Sequence, residues 1–380
     1  MTLQSDWLSE QLPEMEQTLA ALVNVNSHTD NPEGGRKVGA LLKAAFAIEG
    51  LTVESVSSPR FADHLVFRST GAPGKEPIAM LGHLDTVFPP GKFEGYRVDG
   101  ELRRGPGVLD MKGGLVVIAW ALKAIARTIG LAQIAPLRIV VVADEELGSP
   151  EGRPLIERTI TDARRCLVFE SGRSNDAIVT QRKGTGAVTV TAHGKAAHAG
   201  NNHPDGANAI WALARFVDRA QQLTDYPRGV TVNVGKLTGG QGKNTVPDLA
   251  QADLDIRFQT RADAQWVVEQ LHRAAEAAAG SVPGTRLEVT GGAARLPMER
   301  TDASVALMNA YAECARAHGL GADEAPRVGG GSDACTASAM GIPSIDALGP
   351  RGKGFHTVDE YIEAKTLVSR AQALADYLLK

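Results

Sequence analysis

The sequence predicts an α/β protein, with a mostly parallel mixed sheet flanked by helices and a smaller α+β domain inserted into it. Over the first 180 residues, helical and strand patterns alternate, and several short apolar runs end in acidic residues. After about Lys183 the order becomes strand, helix, strand, strand, helix, strand. The first pattern is typical of a parallel sheet covered on both faces. The second is typical of a two-layer, ferredoxin-like domain.

The elements of the larger domain follow from apolar periodicity. Apolar residues recur at helical spacing over 7–23 and 38–48, and a further helix is predicted at about 114–128. Short apolar runs predict strands at 51–56, 64–67, 78–81, 139–143 and 166–169. The run at 139–143 is too short for a helix, and Glu145 and Glu146 follow it closely. It therefore predicts a buried parallel strand that delivers acids to the carboxyl edge of the sheet.

The inserted domain is predicted from the change of pattern. Alternating residues predict strands at 186–192, 230–237, 250–258 and 286–290, and helices are predicted at about 205–222 and 262–279. The α/β pattern then resumes and continues to Lys380. We therefore predict one domain formed by 1–183 and 293–380, and an inserted domain at 184–292.

Composition limits the possible partners. The chain of 380 residues is 43% hydrophobic and 22% charged, with a formal net charge of -4. This balance gives no electrostatic footprint for nucleic acid or a membrane surface, and no stretch reaches the ~20 apolar residues of a membrane span. The three cysteines are widely spaced and odd in number, which favours a reducing compartment. We expect a cytoplasmic protein that acts on small, roughly neutral partners.

Polar side chains follow the predicted strands and could meet at one edge of the sheet. Two adjacent carboxylates, Glu145 and Glu146, repel each other unless a cation or a proton separates them. The other candidates are His83, Asp85, Asp110, Glu170 and His356. Nitrogen and oxygen ligands without thiolates suit zinc, and cobalt or manganese could substitute.

Each of these pieces alone has a simpler explanation. A His-x-Asp sequence is usually a hydrogen-bonded turn, Asp110 could cap the following helix, and a Glu-Glu pair is usually a solvated turn. A cysteine or serine hydrolase using Cys335 or Ser332 with His356 fits the composition but leaves the acidic strand ends unexplained. Glycine-rich stretches at 105–107 and 239–243 lack the full spacing of nucleotide-binding loops. The joint occurrence of the polar residues at strand ends is what favours a metal site.

Six short stretches resemble the di-zinc amidohydrolase and exopeptidase family. That family includes bacterial glutamate carboxypeptidase, acetylornithine deacetylase and succinyl-diaminopimelate desuccinylase. The resemblance spans nearly the whole chain and keeps the family's motif order, and it implies the zinc exopeptidase type of fold. The stretches are 82–87, 107–114, 144–149, 169–170, 329–334 and 354–356.

The resemblance implies a centre of two zinc ions. Its ligands would be His83 and Glu170 for one ion, Glu146 and His356 for the second, and Asp110 as a bridge between them. Asp85 would orient His83, as metal-bound histidines usually require. Glu145 would bind no metal and would act as the general base.

The resemblance also implies roles within the inserted domain. His198 would lie on a lid loop and polarise the scissile carbonyl, in the same chain or across a dimer interface. Asn244 and Arg257 match positions that approach the substrate, and Arg295 matches an arginine that reads a substrate carboxylate. The glycine run around Gly330 could present backbone N–H groups to an anion.

The implied activity is hydrolysis of an amide bond next to a free carboxylate. The first expectation is a carboxypeptidase that releases C-terminal glutamate from N-acyl or peptidyl substrates. The alternative is an N-acyl amino acid deacylase of the acetylornithine deacetylase or desuccinylase type. A non-catalytic homologue that binds metal or peptide is a third possibility, but it would have no need for a free base such as Glu145. The inserted domain implies a homodimer.

Overall fold

A computed structural model of the protein describes residues 3–380. Its helices are α1 Leu3–Ser9, α2 Leu12–Val23, α3 Pro32–Ala45, α4 Lys112–Thr128, α5 Gly152–Thr159, α6 Ala209–Gln221, α7 Arg261–Gly280, α8 Asp302–Ala317, α9 Ala334–Ala339 and α10 Lys365–Leu379. None of the helices in this described part of the chain has the length and apolar character needed to cross a bilayer.

The strands are numbered in chain order. They are β1 Thr52–Val56, β2 His64–Arg68, β3 Ile78–His83, β4 Arg97–Asp99, β5 Leu102–Arg104, β6 Leu137–Val142, β7 Arg165–Val168, β8 Gly184–His193, β9 Ala197–His198, β10 Thr231–Gly239, β11 Thr245–Val246, β12 Leu249–Phe258, β13 Arg286–Arg295, β14 Ser344–Ile345, β15 Gly352–Lys353 and β16 Tyr361–Glu363.

The chain divides into two compact units. Unit 1 comprises the chain up to Gln181 together with Arg300–Arg327 and Ser332–Lys380, and unit 2 comprises Arg182–Glu299 and Val328–Gly331. Unit 2 begins and ends close to the insertion predicted at 184–292. Its far end lies later because β13 continues to Arg295, and because backbone bridges join Arg182 to Met298 and Val328.

Unit 1 is built on a six-stranded sheet in the order β1-β2-β6-β3-β7-β14. The pairings of β3 with β6, β3 with β7, and β14 with β7 are parallel, whereas β1 and β2 add an antiparallel edge. Every residue of β3 is buried, which is the pattern expected for a strand covered on both faces. The predicted class of mixed, mostly parallel sheet with flanking helices is confirmed.

Unit 2 has its own sheet and its own core. The sheet is antiparallel in the order β10-β12-β8-β13, which is the ferredoxin-like order that the sequence predicts. Burial alternates along β8 and β12, so each strand turns one face to α6 and α7. Apolar side chains of these helices and strands form a core cluster separate from that of unit 1.

A buried ion-pair network in unit 1 links distant parts of the chain. Asp176 is 4% exposed and accepts hydrogen bonds from Nε of Arg351 at 3.0 Å and Nη2 of Arg370 at 3.1 Å. Arg370 is fully buried, and its Nε and Nη1 atoms have no hydrogen-bond partner among the described residues. Although burial raises the pKa of Asp176, the hydrogen bonds from Arg351 and Gly321 outweigh this and lower it overall.

We expect Asp176→Asn to lower the free energy of unfolding by about 3 kcal/mol at pH 7, because it leaves Arg370 as a buried charge without its counterion. A carboxyl group whose pKa is lowered on folding stabilises the protein above its unfolded pKa, and that stabilisation is lost as the pH falls through the folded pKa. The difference between wild type and variant should therefore shrink at acidic pH. Urea denaturation at neutral and acidic pH measures it, and a constant difference would contradict the assignment. Asp99→Asn at an exposed ion pair is the control.

Candidate metal centre

Three parallel strands bring polar side chains to one edge of the sheet in unit 1. His83 is the last residue of β3, Glu145 and Glu146 begin the turn after β6, and Glu170 follows β7 closely. Because β3 pairs in parallel with both β6 and β7, the carboxyl ends of all three strands lie together. This is the edge at which open α/β sheets place their sites.

Two loops complete the cluster. Asp110 lies in the loop just before α4, and His356 lies in a turn that connects β15 to β16. His356 has a left-handed backbone with a φ of 63°. Both loops arrive at the ends of the parallel strands, so residues far apart in sequence meet there.

The first group of side chains comprises His83, Asp110 and Glu170. Nε2 of His83 lies 3.4 Å from Oδ1 of Asp110 and 3.6 Å from Oε1 of Glu170. All three residues are largely buried, and they could hold one metal ion.

The second group comprises Asp110, Glu146 and His356. Nε2 of His356 lies 3.3 Å from Oδ2 of Asp110 and 3.2 Å from Oε2 of Glu146. These residues could also hold one ion. Asp110 thus directs one carboxylate oxygen to each group. The side chain of His356 is 49% exposed, so the cluster is open to solvent on this side.

The first group fits a divalent cation because atoms that can ligate a metal face one another in it. Nδ1 of His83 lies 3.0 Å from the carbonyl oxygen of Asp85, so Nδ1 carries a proton, and Nε2, once deprotonated, would present a lone pair to Asp110 and Glu170. Oδ1 of Asp110 is buried and receives no hydrogen bond from the described part of the chain. Buried acceptors aimed at one another are stable only when a positive charge lies between them.

The pKa values in the cluster show the same excess of negative charge. Burial raises the pKa of Glu146 to about 7, with Asp110 and Glu145 adding to the shift and His356 opposing it. Burial also raises the pKa of Glu170 well above its usual range. Hydrogen bonds to Asp110 and Glu146 raise the pKa of His356 to about 10. Without a cation, the cluster must bind protons, and a metal ion would displace them.

Asp85 supports the cluster through contacts with the turn that carries Glu145 and Glu146 and with His83. It is 1% exposed, and its side chain accepts hydrogen bonds from the backbone N–H groups of Glu145 and Glu146 at 3.3 Å each. The hydroxyl of Thr29 donates to the same carboxylate at 2.7 Å. Asp85 therefore fixes the turn that carries both glutamates, in addition to lying 3.4 Å from Nδ1 of His83.

Two buried residues below the Asp110 loop were not predicted from the sequence. Nζ of Lys112 donates to the backbone carbonyls of Leu22 at 3.1 Å and Val25 at 3.2 Å. Glu360 accepts hydrogen bonds from the loop itself. Glu360 follows the exposed Asp359 in the sequence. Because both residues are acidic and lie in a polar turn, the sequence alone does not indicate that Glu360 is buried.

Unit 2 carries the remaining predicted residues. Backbone pairing places His198 of β9 beside Thr245 of β11, and the N–H of Ala199 donates to the carbonyl of Asn244 at 2.9 Å. The structure thus brings His198 and Asn244 together. Nδ1 of His198 accepts from the N–H of Asn201 at 3.0 Å.

The other three predicted residues of unit 2 form two separate arrangements. Arg257 makes a two-pronged ion pair with Asp255, with both N–O distances 2.8 Å. Arg295 is 6% exposed and lies against the glycine run, because a Cβ atom on Gly331 would approach its Cδ to 2.7 Å. The carbonyl of Gly330 accepts a hydrogen bond from Arg182 at 3.2 Å.

Cys335 and Ser332, the alternative candidate nucleophiles, do not contact His356 in the contacts described for them. Cys335 is fully buried, and the hydroxyl of Ser332 donates to Asp346. His356 instead faces Asp110 and Glu146. These contacts give no support to a cysteine or serine hydrolase.

The fold and the cluster together define a class of protein: an α/β protein of two units in which two groups of side chains near the ends of parallel strands share an aspartate and could each hold a metal ion. Comparison with known proteins gives the same class. Residues 180–283 match the family model of the M20 peptidase dimerisation domain.

The chain is similar in sequence to two curated relatives, one along nearly its whole length and one along about two thirds of it. Carboxypeptidase G2 of Pseudomonas sp. is 29% identical over 379 residues, covering 98% of this chain and 90% of the relative. Acetylornithine deacetylase of Myxococcus xanthus is 30% identical over 259 residues, covering 63% and 66%. A solved dinuclear metal-binding peptidase of the M20 family from Bacillus subtilis shares the fold, with a TM-score of 0.71 at 16% identity and 97% of both chains covered.

The chain belongs to the M20 family of metallopeptidases and amidohydrolases, and it is a hydrolase. Membership of this family implies a dinuclear metal site, for which the two groups sharing Asp110 are the candidate ligands.

Proposed function

We propose that the protein hydrolyses an amide bond next to a free carboxylate, using two zinc ions. The observation that supports this most directly is the division of Asp110 between two groups of metal ligands. His83 and Glu170 would complete one ion's ligand set, and Glu146 and His356 the other's. Cobalt or manganese could substitute, because the ligands are nitrogen and oxygen atoms without thiolate. When bound, such a pair of ions supplies Lewis-acid polarisation of the carbonyl and a more acidic water.

The protein's own residues would bind, orient and move a proton. Glu145 lies next to Glu146 but outside both metal-binding groups, so its carboxylate can take a proton from the attacking water and give it to the leaving amine. Asp85 would keep His83 and the Glu145–Glu146 turn in position through its hydrogen bonds. We propose that His198 polarises the scissile carbonyl. His198→Ala should then lower turnover with the metal content unchanged, and loss of metal would refute this role.

Metal removal tests the proposal. We expect dialysis against a chelator to abolish amide hydrolysis and titration with Zn²⁺ to restore it, with full activity at two ions per chain. Metal content by mass spectrometry and hydrolysis of N-acyl amino acids would be measured on the same samples. Undiminished hydrolysis by the metal-free protein would refute the two-zinc centre. Metal binding without hydrolysis of any N-acyl amino acid or dipeptide would support a non-catalytic role instead.

For the substrate, we propose release of a C-terminal glutamate from N-acyl or peptidyl compounds. The extent of the similarity to carboxypeptidase G2 supports this choice, as does Arg295, a buried guanidinium beside a glycine run. Arginine matches carboxylate geometry with two parallel hydrogen bonds. The second candidate is deacylation of an N-acyl amino acid, which the similarity to acetylornithine deacetylase favours.

Replacing Arg295 should distinguish these substrates. If it reads the side-chain carboxylate of glutamate, Arg295→Ala should lower kcat/KM roughly 10- to 100-fold for N-acyl glutamate and little for N-acyl alanine. Steady-state kinetics on the matched pair of substrates measures this. Arg286→Ala, at the exposed start of β13, is the control. An equal loss on both substrates would make Arg295 a structural residue.

We also propose that unit 2 forms a homodimer and that the protein acts in the cytoplasm. Strand β10 is an edge strand and exposes Leu237, while α6 exposes Ile210 and Trp211. Exposed apolar side chains beside an unpaired strand edge are typical of an interface. Leu237→Lys should convert a dimer to a monomer in light scattering, and Tyr226→Lys, at an exposed residue outside both elements, should not. The three cysteines are buried and form no disulfide within the described residues, which is consistent with a reducing compartment.

A further inference from the structure

Glu360 is a buried acidic residue whose side chain accepts hydrogen bonds from the loop that carries Asp110. Its side chain is fully buried. Oε1 accepts hydrogen bonds from the backbone N–H of Leu109 at 2.8 Å and of Asp110 at 3.0 Å, and Oε2 accepts from Gly107 at 3.2 Å. Glu360 therefore fixes the backbone of the loop from which the Asp110 side chain extends.

The same residue ends the turn that carries His356. In that turn the N–H of Thr357 donates to the carbonyl of Gly354 at 3.0 Å, and the N–H of Glu360 donates to the carbonyl of Thr357 at 3.2 Å. Tyr361, the next residue, pairs with Arg104 as β16 begins. Glu360 is thus anchored by a strand on one side and lies four residues after His356.

Glu360 therefore joins two loops that are about 250 residues apart in the chain. Asp110 and His356 both belong to the second metal-binding group, whereas only Asp110 belongs to the first. A change in the distance between the two loops therefore changes the spacing of two ligands in the second group. In the first group it changes only the position of Asp110.

The surroundings of the Glu360 side chain suit a carboxylate. Lys112 is buried within the same region and interacts electrostatically with Glu360 and with Asp85. Three N–H donors aimed at one side chain also require an acceptor at each contact, which a carboxylate provides and an amide does not. The arrangement suits a glutamate better than a glutamine of the same shape.

We propose that Glu360 is a positioning residue that sets the spacing of Asp110 and His356 and thereby tunes the affinity of the second metal ion relative to the first. This inference rests on the proposed two-metal function. Outer hydrogen-bond partners of metal ligands commonly change metal affinity by about 10- to 100-fold. We expect Glu360→Ala to weaken the second ion by that factor and the first ion by clearly less.

Zn²⁺ titration of the metal-depleted full-length protein tests this, with both dissociation constants fitted from calorimetry. The d–d spectrum of the Co²⁺-loaded protein reports the second group independently. Asp359→Asn is the matched control, because Asp359 precedes Glu360 in the same turn and is exposed. Circular dichroism of each metal-free variant verifies folding.

A wild-type ratio of the two dissociation constants in folded Glu360→Ala would overturn the proposal. So would equal weakening of both ions together with a lower melting temperature, since that result indicates a general structural role. If Glu360→Ala does not fold, Glu360→Gln decides the question: it places an amide N–H against that of Gly107, so a changed ratio is expected, and an unchanged one refutes the idea. Failure of the wild type to bind two ions would instead refute the proposed function.

Discussion

Glu145→Gln should lower turnover by roughly 10²- to 10⁴-fold while the protein keeps its full metal content. The amide has nearly the shape of the carboxylate but cannot take a proton from water. The backbone contact that positions the residue, from the N–H of Glu145 to Asp85, does not involve the altered side chain. The folded structure and the ligand groups should therefore be preserved.

The neighbouring residue provides the contrast. On the proposed assignment, Glu146 is a ligand of the second metal ion, so Glu146→Gln should lose both metal and turnover, although the two variants differ by one position. Single-turnover rates and metal content would be measured for both. Near-normal turnover of the Glu145 variant, or loss of its metal, would show that the two glutamates have been assigned the wrong roles.

Asp110→Asn should have the largest effect on metal binding, because Asp110 is the one residue common to both groups. Its two oxygens lie 3.4 Å from His83 and 3.3 Å from His356, and an asparagine would present an N–H₂ group to one of them. We expect the variant to lose affinity for both ions by more than the roughly 10- to 100-fold that a supporting residue contributes. Hydrolysis should fall to background.

Equilibrium dialysis with Zn²⁺ measures this loss. Asp85→Asn serves as the comparison with a smaller expected effect, since the Asp85 carboxylate accepts hydrogen bonds from the backbone of Glu145 and Glu146 but belongs to neither group. It should weaken binding and retain part of the activity. If Asp110→Asn still held two ions per chain, the shared-ligand arrangement would have to be abandoned.

Much of the fold could be predicted because its signals are local. The apolar run of β6 and the alternation of β8 and β12 each lie within ten residues or fewer, and period and length distinguish the strands from helices. Polar residues at strand ends likewise carry a local signal. Once the parallel pairing of β3 with β6 and β7 is known, their convergence follows.

The parts that could not be predicted depend on pairings between distant segments. Glu360 meets the Asp110 loop, and Asp176 meets Arg351 and Arg370, only after the sheet has formed. The continuation of β13 to Arg295 was missed because Gly291 and Gly292 interrupt the strand pattern, although they remain paired with β8. Glycine weakens the sequence signal of a strand without preventing its backbone from pairing.

The order of the ligands along the chain has a consequence for synthesis. His83, Asp110, Glu146 and Glu170 all precede unit 2, whereas His356 and the helix α10, which packs against α4, follow it. A ribosome therefore releases every residue of the first metal-binding group while the second still lacks its histidine. On the proposed assignment, a growing chain that still lacks His356 can hold at most one properly coordinated ion, and the hydrolase becomes active only when the segment that carries His356 has emerged.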